Sequence, residues 1–252
     1  MTTTNFVDRI EFIKSLDLAE PTKELAAATT PTLAFTDNEA AAYVDGGSLV
    51  SFVAGVSATH KSDGLNSTLL AQLAANKKYD RENDPVEWYK FYVSVLENVG
   101  WVVQEWNFTK FDASGSTFTV DKVIADVLAA IATGEDKKIV DETINAVKAL
   151  DPGDGRLTIW DQNSSSLDKG NFQISACSES DGVLVMKLGA FHFSTDETVT
   201  RILWFQFSTS RTELYKGGQT VNLNEEVYKQ VRQAVIDKLG ENAQKFVGDL
   251  EI

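Results

Sequence analysis

The sequence has very few of the residues that build metal sites and disulfide frameworks. Its 252 residues include two histidines, His60 and His192, and one cysteine, Cys177. A single cysteine cannot form an intramolecular disulfide, which excludes a small secreted module held together by disulfides. The chain also lacks the His-x-x-x-His and Cys-x-x-Cys spacings of structural zinc sites. We therefore predict neither a metal site nor a bound cofactor.

Recognisable catalytic motifs are missing as well. Neither the G-x-x-x-x-G-K-[ST] loop nor the G-x-G-x-x-G loop occurs. A Ser-His-Asp triad would need one of the two histidines. We interpret His192, which lies between two phenylalanines, as a sheet histidine, and His60 as a loop histidine without a role. Carboxylates are so abundant that their presence does not indicate a catalytic pair. Glu105 is interpreted as a sheet-edge residue. We predict that the protein is not an enzyme.

Positive charge is scarce. Lysine and arginine number 23 against 37 acidic residues, which gives a net charge of −14 and a pI near 4.6. A nucleic-acid partner requires a basic stripe, and only the short pairs Lys77–Lys78 and Lys137–Lys138 occur, each close to acids. Nucleic acid and electrostatic adsorption to anionic membranes are therefore disfavoured. Binding to neutral lipid surfaces is compatible with this charge.

Long apolar runs are absent. No stretch reaches the length of a membrane-spanning helix, and the first residues lack the basic and apolar regions of a signal peptide. We expect a soluble protein made in the cytoplasm without a signal peptide. If it is released, it leaves by another route and acts at target-cell membranes.

Ordinary globular patterning fills the rest of the chain. Apolar residues at helical spacing, with capping and stop signals, predict helices at Phe6–Leu16, Asp37–Ala42, Ser62–Leu73, Pro85–Val99, Val120–Ile131, Ile139–Leu150 and Asn224–Leu239, and a short last helix holding Phe246 and Val247. Apolar runs between turn signals predict strands at Ser48–Ser57, Trp101–Phe111, Arg156–Asp161, Phe172–Glu179, Val183–Phe193 and Val199–Thr209. The segment from Gln162 to Lys169 is predicted to be a mobile loop.

The late strands carry the most informative pattern, because they are apolar on both faces. In the third late strand, Val183 and Val185 alternate with Leu184 and Met186. The strands of an antiparallel sheet with one solvent-exposed face would alternate between apolar and polar residues. Helices must therefore cover both faces. We predict the α/β (α+β) class, as a three-layer α/β/α sandwich with a mostly antiparallel sheet flanked by helical hairpins. We predict one domain over residues 1–252, in which the N-terminal helical segment 1–45 is peripheral.

Two sets of residues could touch lipid. Cys177 is either a small buried hydrophobe, a candidate acylation site that would supply a membrane anchor, or a redox or metal group. The five tryptophans suit a core and a membrane interface equally well. In the last predicted strand, Trp204, Phe205 and Phe207 are candidate membrane-contacting residues.

The order of elements in the second half, from about Ser116 to Leu223, resembles the Cyt family of insecticidal cytolysins. A helix pair leads to a strand ending near Trp160, a polar loop, and the runs Gly182–Phe191 and Ile202–Phe207. The resemblance implies a single α/β/α domain that is soluble, binds membranes through lipids and permeabilises them. A second similarity, to the Evf type of bacterial virulence factor, implies membrane attachment through an acylated cysteine, for which Cys177 alone is available.

Three functions stay open at this point. The first is a membrane-active toxin or virulence-type protein, pore-forming or membrane-perturbing, whose helices move away from the sheet. Its partner would be membrane lipid, and it could form homo-oligomers on membranes. The second is a non-enzymatic protein that binds a lipid or another apolar ligand, acylated at Cys177 or not. The third is an enzyme of unrecognised type.

Overall fold

The computed structural model describes residues 6–23, 33–103 and 107–252, and for Asn242 the backbone alone. The predictions for Glu105 and Trp106 lie outside the described residues. The elements follow in this order: α1 Phe6–Ser15, β1 Ala41–Asp45, β2 Ser48–Phe52, α2 Ala58–Lys78, α3 Pro85–Val99, β3 Trp101–Val102, β4 Thr109–Lys110, β5 Thr117–Thr119, α4 Val120–Ile131, α5 Gly134–Ala149, α6 Gly155–Ser164, β6 Lys169–Ser180, β7 Val183–Thr195, β8 Gln206–Ser208, β9 Thr212–Leu223, α7 Glu225–Leu239, a 3-10 helix Gly240–Lys245 and β10 Val247–Leu250.

An eight-stranded sheet forms the middle layer. Its strands run β10-β1-β2-β6-β7-β9-β3, and β4 also pairs with β9. The pairing of β2 with β6 is parallel, and the other strand pairs of this sheet among the described residues are antiparallel. At the β6–β7 turn, Asp181 and Gly182 both have positive φ, 53° and 75°, as a two-residue hairpin with the natural strand twist requires. The short strands β5 and β8 pair separately.

Helices cover both faces of this sheet. On one face lie α1, α2, α3 and α7. Gly64 of α2 would meet the Phe52 ring if it carried a Cβ, and Tyr89 of α3 accepts a hydrogen bond from Gln173 of β6. On the other face lie α4, α5 and α6, where Trp160 of α6 packs on Phe172 at 5.9 Å between ring centroids. The predicted three-layer α/β/α fold with a mostly antiparallel sheet is confirmed.

The two-faced burial of the long strands is confirmed as well. On β7, Leu184, Met186 and Leu188 are buried on one side, while Phe191 and Phe193 are buried on the other. On β6, eight consecutive residues are buried. The reason is the one inferred from the pattern: a helical layer lies against each face, so neither side needs polar residues.

The prediction of a strand at Arg156–Asp161 is wrong, since this segment belongs to α6. Asp154 caps the helix by accepting a hydrogen bond from the Arg156 backbone N–H. Leu157 and Trp160, three residues apart, are both buried, which is helical spacing. The helix continues to Ser164, so only residues 165–168 of the predicted loop connect it to β6.

The prediction of a fourth long strand at Val199–Thr209 is also wrong. Only Gln206–Ser208 is a strand, and it pairs with β5 outside the main sheet. Beside β7 lies β9, which was not predicted and which pairs with β7 over eleven residues from Val185 to Thr195. Its central residues include Gly217, Gly218 and several polar groups, which hide the strand because glycine and polar residues are depleted in typical strands.

Three further predictions need correction. Of the strand predicted at Trp101–Phe111, only the two ends, β3 and β4, are strands among the described residues. The segment predicted as a helix at Asp37–Ala42 leads into strand β1. Val247 lies in strand β10 and Phe246 caps the 3-10 helix before it. In each case a short apolar run fits both the helical and the strand period, and tertiary pairing decides which structure forms.

Candidate functional site

Cys177 lies in the middle layer and is fully buried. It stands on β6 opposite Met186 of β7 and in register with Phe52 of β2. Burial raises the pKa of its thiol far above the ordinary value. Because the thiolate is the reactive form of cysteine, this thiol is protected in the folded state. Acylation of Cys177 stays a prediction, and it would require the site to open.

The three predicted membrane-contacting residues have different environments. Phe207 is fully buried and stacks on Phe118 with ring centroids 5.4 Å apart. Phe205 is half-buried and packs against Phe207. Trp204 is 39% exposed, and the Arg201 guanidinium lies over its ring at 5.5 Å. Of the three, Trp204 alone presents a large open surface.

Two neighbouring loops at one end of the sheet carry this exposed tryptophan and an exposed leucine. The Val199 N–H donates to the Leu167 carbonyl at 2.6 Å, and the Thr195 N–H donates to the Asp168 carbonyl at 2.8 Å. Leu167 is 67% exposed. We call loops 165–168 and 196–205 together the aromatic tip. It combines exposed apolar side chains with the cation of Arg201.

The helical hairpin α4–α5 is fitted closely onto the sheet. Val127 of α4 sits over two glycines, and a Cβ added to Gly218 would lie 2.7 Å from Val127 Cγ1 and one added to Gly189 would lie 3.3 Å from it. Glycine is therefore required there for close approach. On α5, the Thr143 hydroxyl lies 2.8 Å from the Ser51 hydroxyl of β2.

A buried ion pair fastens the start of α5 to β7. Lys187 Nζ donates to Asp136 Oδ2 at 2.5 Å, and the same oxygen accepts from the backbone N–H and the hydroxyl of Thr133, each at 2.6 Å. Burial alone would raise the pKa of Asp136, but the bonds from Lys187 and Thr133 outweigh it and hold the pKa below its ordinary value. We call Asp136, Thr133 and Lys187 the hairpin latch.

A second polar cluster joins α2, β6 and α7. His60 lies in the first turn of α2, and its Nδ1 is 2.6 Å from Glu179 of β6 while its Nε2 is 2.6 Å from Glu225 of α7. Asp63 accepts two hydrogen bonds from Arg232, at 2.9 and 2.6 Å. We call these five residues the histidine cluster. The predicted loop position of His60 is wrong, because the residue lies in helix α2. Its two carboxylate partners stand 119 and 165 residues away in the sequence.

The other histidine lies on β7, as predicted. His192 stacks on Tyr215 at 4.9 Å and meets the edge of Phe108 at 5.1 Å. Burial lowers its pKa to about 4. The ring is therefore neutral at physiological pH and acts as an aromatic packing group.

A surface cavity of about 470 Å³ lies beside the aromatic tip. Polar and charged side chains line it, among them Lys110, Lys169, Arg211 and Glu213. Such a lining does not suit an apolar ligand, and Cys177 is not part of it. Among the described residues, no helix is long and apolar enough to cross a membrane.

Comparison with solved structures finds five similar chains, of which two are described below. No family model and no curated protein matches the chain. A delta-endotoxin is 13% identical and has a TM-score of 0.39, over 82% of this chain and 89% of its own. The Evf virulence factor is 12% identical and has a TM-score of 0.36, over 83% and 86% of the two chains. Both belong to the classes that the sequence resembles.

Proposed function

We propose that this protein perturbs lipid membranes, and that the α4–α5 hairpin leaves the sheet when it does so. One observation carries the proposal: the sheet is apolar on both faces, and a layer of helices covers each face. The long strands β6, β7 and β9 have 12, 13 and 12 residues. At about 3.3 Å per residue they reach about 40 Å, more than the roughly 30 Å of a hydrocarbon core.

The α4–α5 layer is the part best suited to detach. Both helices are amphipathic, with apolar residues such as Val123 and Ile144 buried against the sheet and acidic and basic residues outside. An amphipathic helix that loses its sheet can lie in a membrane interface with the same apolar face. The polar fastening on the sheet side includes the hairpin latch and the Ser51–Thr143 hydrogen bond.

First contact with lipid is assigned to the aromatic tip. Tryptophan is enriched at membrane interfaces because its ring is apolar and its N–H is polar. Trp204 and Leu167 are exposed on the two loops of the tip, and the Arg201 guanidinium over the Trp204 ring can approach lipid phosphates. Neutral and mixed membranes suit this tip better than strongly anionic ones, since the chain as a whole carries a charge of −14.

A disulfide lock tests the detachment step. The hydroxyls of Ser51 and Thr143 are 2.8 Å apart, so Ser51→Cys with Thr143→Cys brings two sulfurs within bonding reach and ties α5 to β2. The matched control is Thr195→Cys with Thr212→Cys, whose hydroxyls are 2.9 Å apart and which joins β7 to β9 within the sheet. Both pairs are made in a Cys177→Ala chain.

The readout is dye release from phosphatidylcholine vesicles, with and without added phosphatidylserine. We expect the Cys177→Ala parent and the oxidised control to release dye. The oxidised Ser51→Cys, Thr143→Cys variant should release dye at least about tenfold more slowly. Addition of a thiol reductant should restore the rate of release. Absence of release by the parent on every lipid would refute membrane activity. Equal release by the oxidised lock would refute the detachment of α5.

A further inference from the structure

The structure assigns a binding site for a divalent transition-metal ion of the Zn²⁺ class to His60, Asp63 and Glu225. Each residue offers one ligand atom, and the three atoms lie within 4.8 Å of one another. Metal–ligand distances near 2.0–2.2 Å place two ligand atoms of a tetrahedral ion roughly 3.3–3.6 Å apart. Small side-chain rotations therefore bring all three onto one ion. The inference is independent of the proposed membrane activity.

The local fold brings the ligands together. His60 and Asp63 are three residues apart in the first turns of α2, so they project from one helix face. Glu225 is the first residue of α7, whose Tyr228 packs under the cluster and donates its hydroxyl proton to the Asp63 carbonyl at 3.3 Å. The His60 and Asp63 side chains are 9% and 3% exposed. The site is thus a shielded junction between two helices, and Glu225, whose side chain is 17% exposed, is its most accessible ligand.

Glu179 gives the imidazole the orientation of a metal ligand. Its Oε2 lies 2.6 Å from His60 Nδ1 and also accepts the Ser57 backbone N–H at 3.0 Å. With Nδ1 donating to Glu179, Nε2 points toward Glu225. Metal-binding histidines commonly donate their second ring N–H to a carboxylate in this way, which fixes the tautomer and strengthens the ligand. Glu179 comes from β6, a third element, and is not itself a ligand.

The charges of the cluster balance a divalent ion. Once a metal ion displaces the proton on His60 Nε2 and the imidazole is neutral, three carboxylates face one guanidinium, that of Arg232, which contacts Asp63 and lies 3.8 Å from Glu225. The result is a net charge of −2. Lys229 is 4.0 Å from Glu225, but its side chain is 56% exposed, so water screens it. The nitrogen ligand favours Zn²⁺ and similar ions over Ca²⁺ and Mg²⁺, which prefer oxygen.

Binding of Zn²⁺ to the intact, metal-stripped chain tests the site by calorimetry, without membranes. We expect one ion per chain, and Ca²⁺ should not compete. His60→Gln should weaken binding by at least about 100-fold through the loss of a ligand. Glu179→Gln should weaken it by about 10- to 100-fold, as the loss of an orienting partner does. The controls are His192→Gln, which removes the other histidine, and Glu226→Gln on the exposed face of α7. Both should bind Zn²⁺ like the parent.

A second readout does not depend on the folding of any one variant. Zn²⁺ should raise the unfolding temperature of the parent and of both controls, but not that of His60→Gln, since only the folded state holds the site. Failure of the parent to bind Zn²⁺ would overturn the proposal. So would binding by His60→Gln equal to that of the parent, because the ion would then lie elsewhere.

Discussion

Replacing Asp136 by alanine should loosen the α4–α5 hairpin from the sheet more than any substitution on its outer face. The change removes three hydrogen bonds, two from Thr133 and one from Lys187. Thr133, the N-cap residue, keeps its bond from the backbone N–H of residue 136, so loss of the Asp136 half of the capping box costs at most about 1 kcal/mol. Breaking a buried ion pair costs about 3–5 kcal/mol, but the Lys187 side chain is 14% exposed and can turn partly to water. We expect the free energy of unfolding to fall by about 2–4 kcal/mol.

A double-mutant cycle with Lys187→Met isolates the contact. The two single variants should each be destabilised, and the double variant should lose less than their sum by at least about 1 kcal/mol, because the pair interacts directly. Urea unfolding followed by tryptophan fluorescence measures all four proteins. The control is Lys138→Ala, which breaks an exposed pair with Glu142 on the same helix and should cost less than about 0.5 kcal/mol.

The pH dependence of stability tests the same contact. The folded-state pKa of Asp136 is lowered, so its stabilisation is present above the ordinary value near 4 and is lost as pH falls through the folded value. The difference between the parent and Asp136→Ala should therefore shrink below about pH 4. Additive single and double variants would refute the latch. In the vesicle assay, the same substitution should speed dye release at neutral pH.

Three further predictions follow from other contacts. Burial raises the pKa of Asp45 to about 8, so the folded state holds this proton more tightly than the unfolded chain does. The free energy of unfolding should therefore decline by up to about 5 kcal/mol from pH 4 to pH 8. Asp45→Asn should flatten this pH dependence. Gly218→Ala should cost about 1–3 kcal/mol by overpacking against α4, whereas Gly134→Ala, where a Cβ meets nothing within 4 Å, should be neutral or stabilising in thermal unfolding. Trp204→Ala should weaken vesicle co-sedimentation at unchanged stability, while Phe207→Ala should lower stability by about 3–5 kcal/mol, and the reverse pattern would contradict the aromatic tip.

Sequence patterns predicted the parts of the fold in which local preference and burial agree. Helices α3, α4 and α7 have complete apolar faces and clear boundaries, and β6–β7 is a long apolar hairpin with a tight turn. The patterns failed at β9, whose glycines and polar residues suit the sheet only because α4 packs directly above them. That requirement is tertiary and leaves no periodic signal along the chain.

The candidate sites show the same division. The exposure of Trp204 and the burial of Phe207 could not be separated by sequence, because a strand and a turn place the same residues differently. The histidine cluster left no motif at all, since its five members come from α2, β6 and α7. Only the pairing of distant elements brings His60 to its carboxylates, so a search for close spacings such as His-x-x-x-His misses it.

The parallel pairing of β2 with β6 has a consequence for how the protein is made. Ser48 and Gln173 are hydrogen-bonded neighbours that stand 125 residues apart in the chain. During synthesis, the apolar strand β2 can therefore pair with β6 only after β6 has left the ribosome. Contacts of such long sequence separation slow folding, because loop closure has to precede them. Until then the early strands present unpaired edges, which make the incomplete chain prone to aggregation.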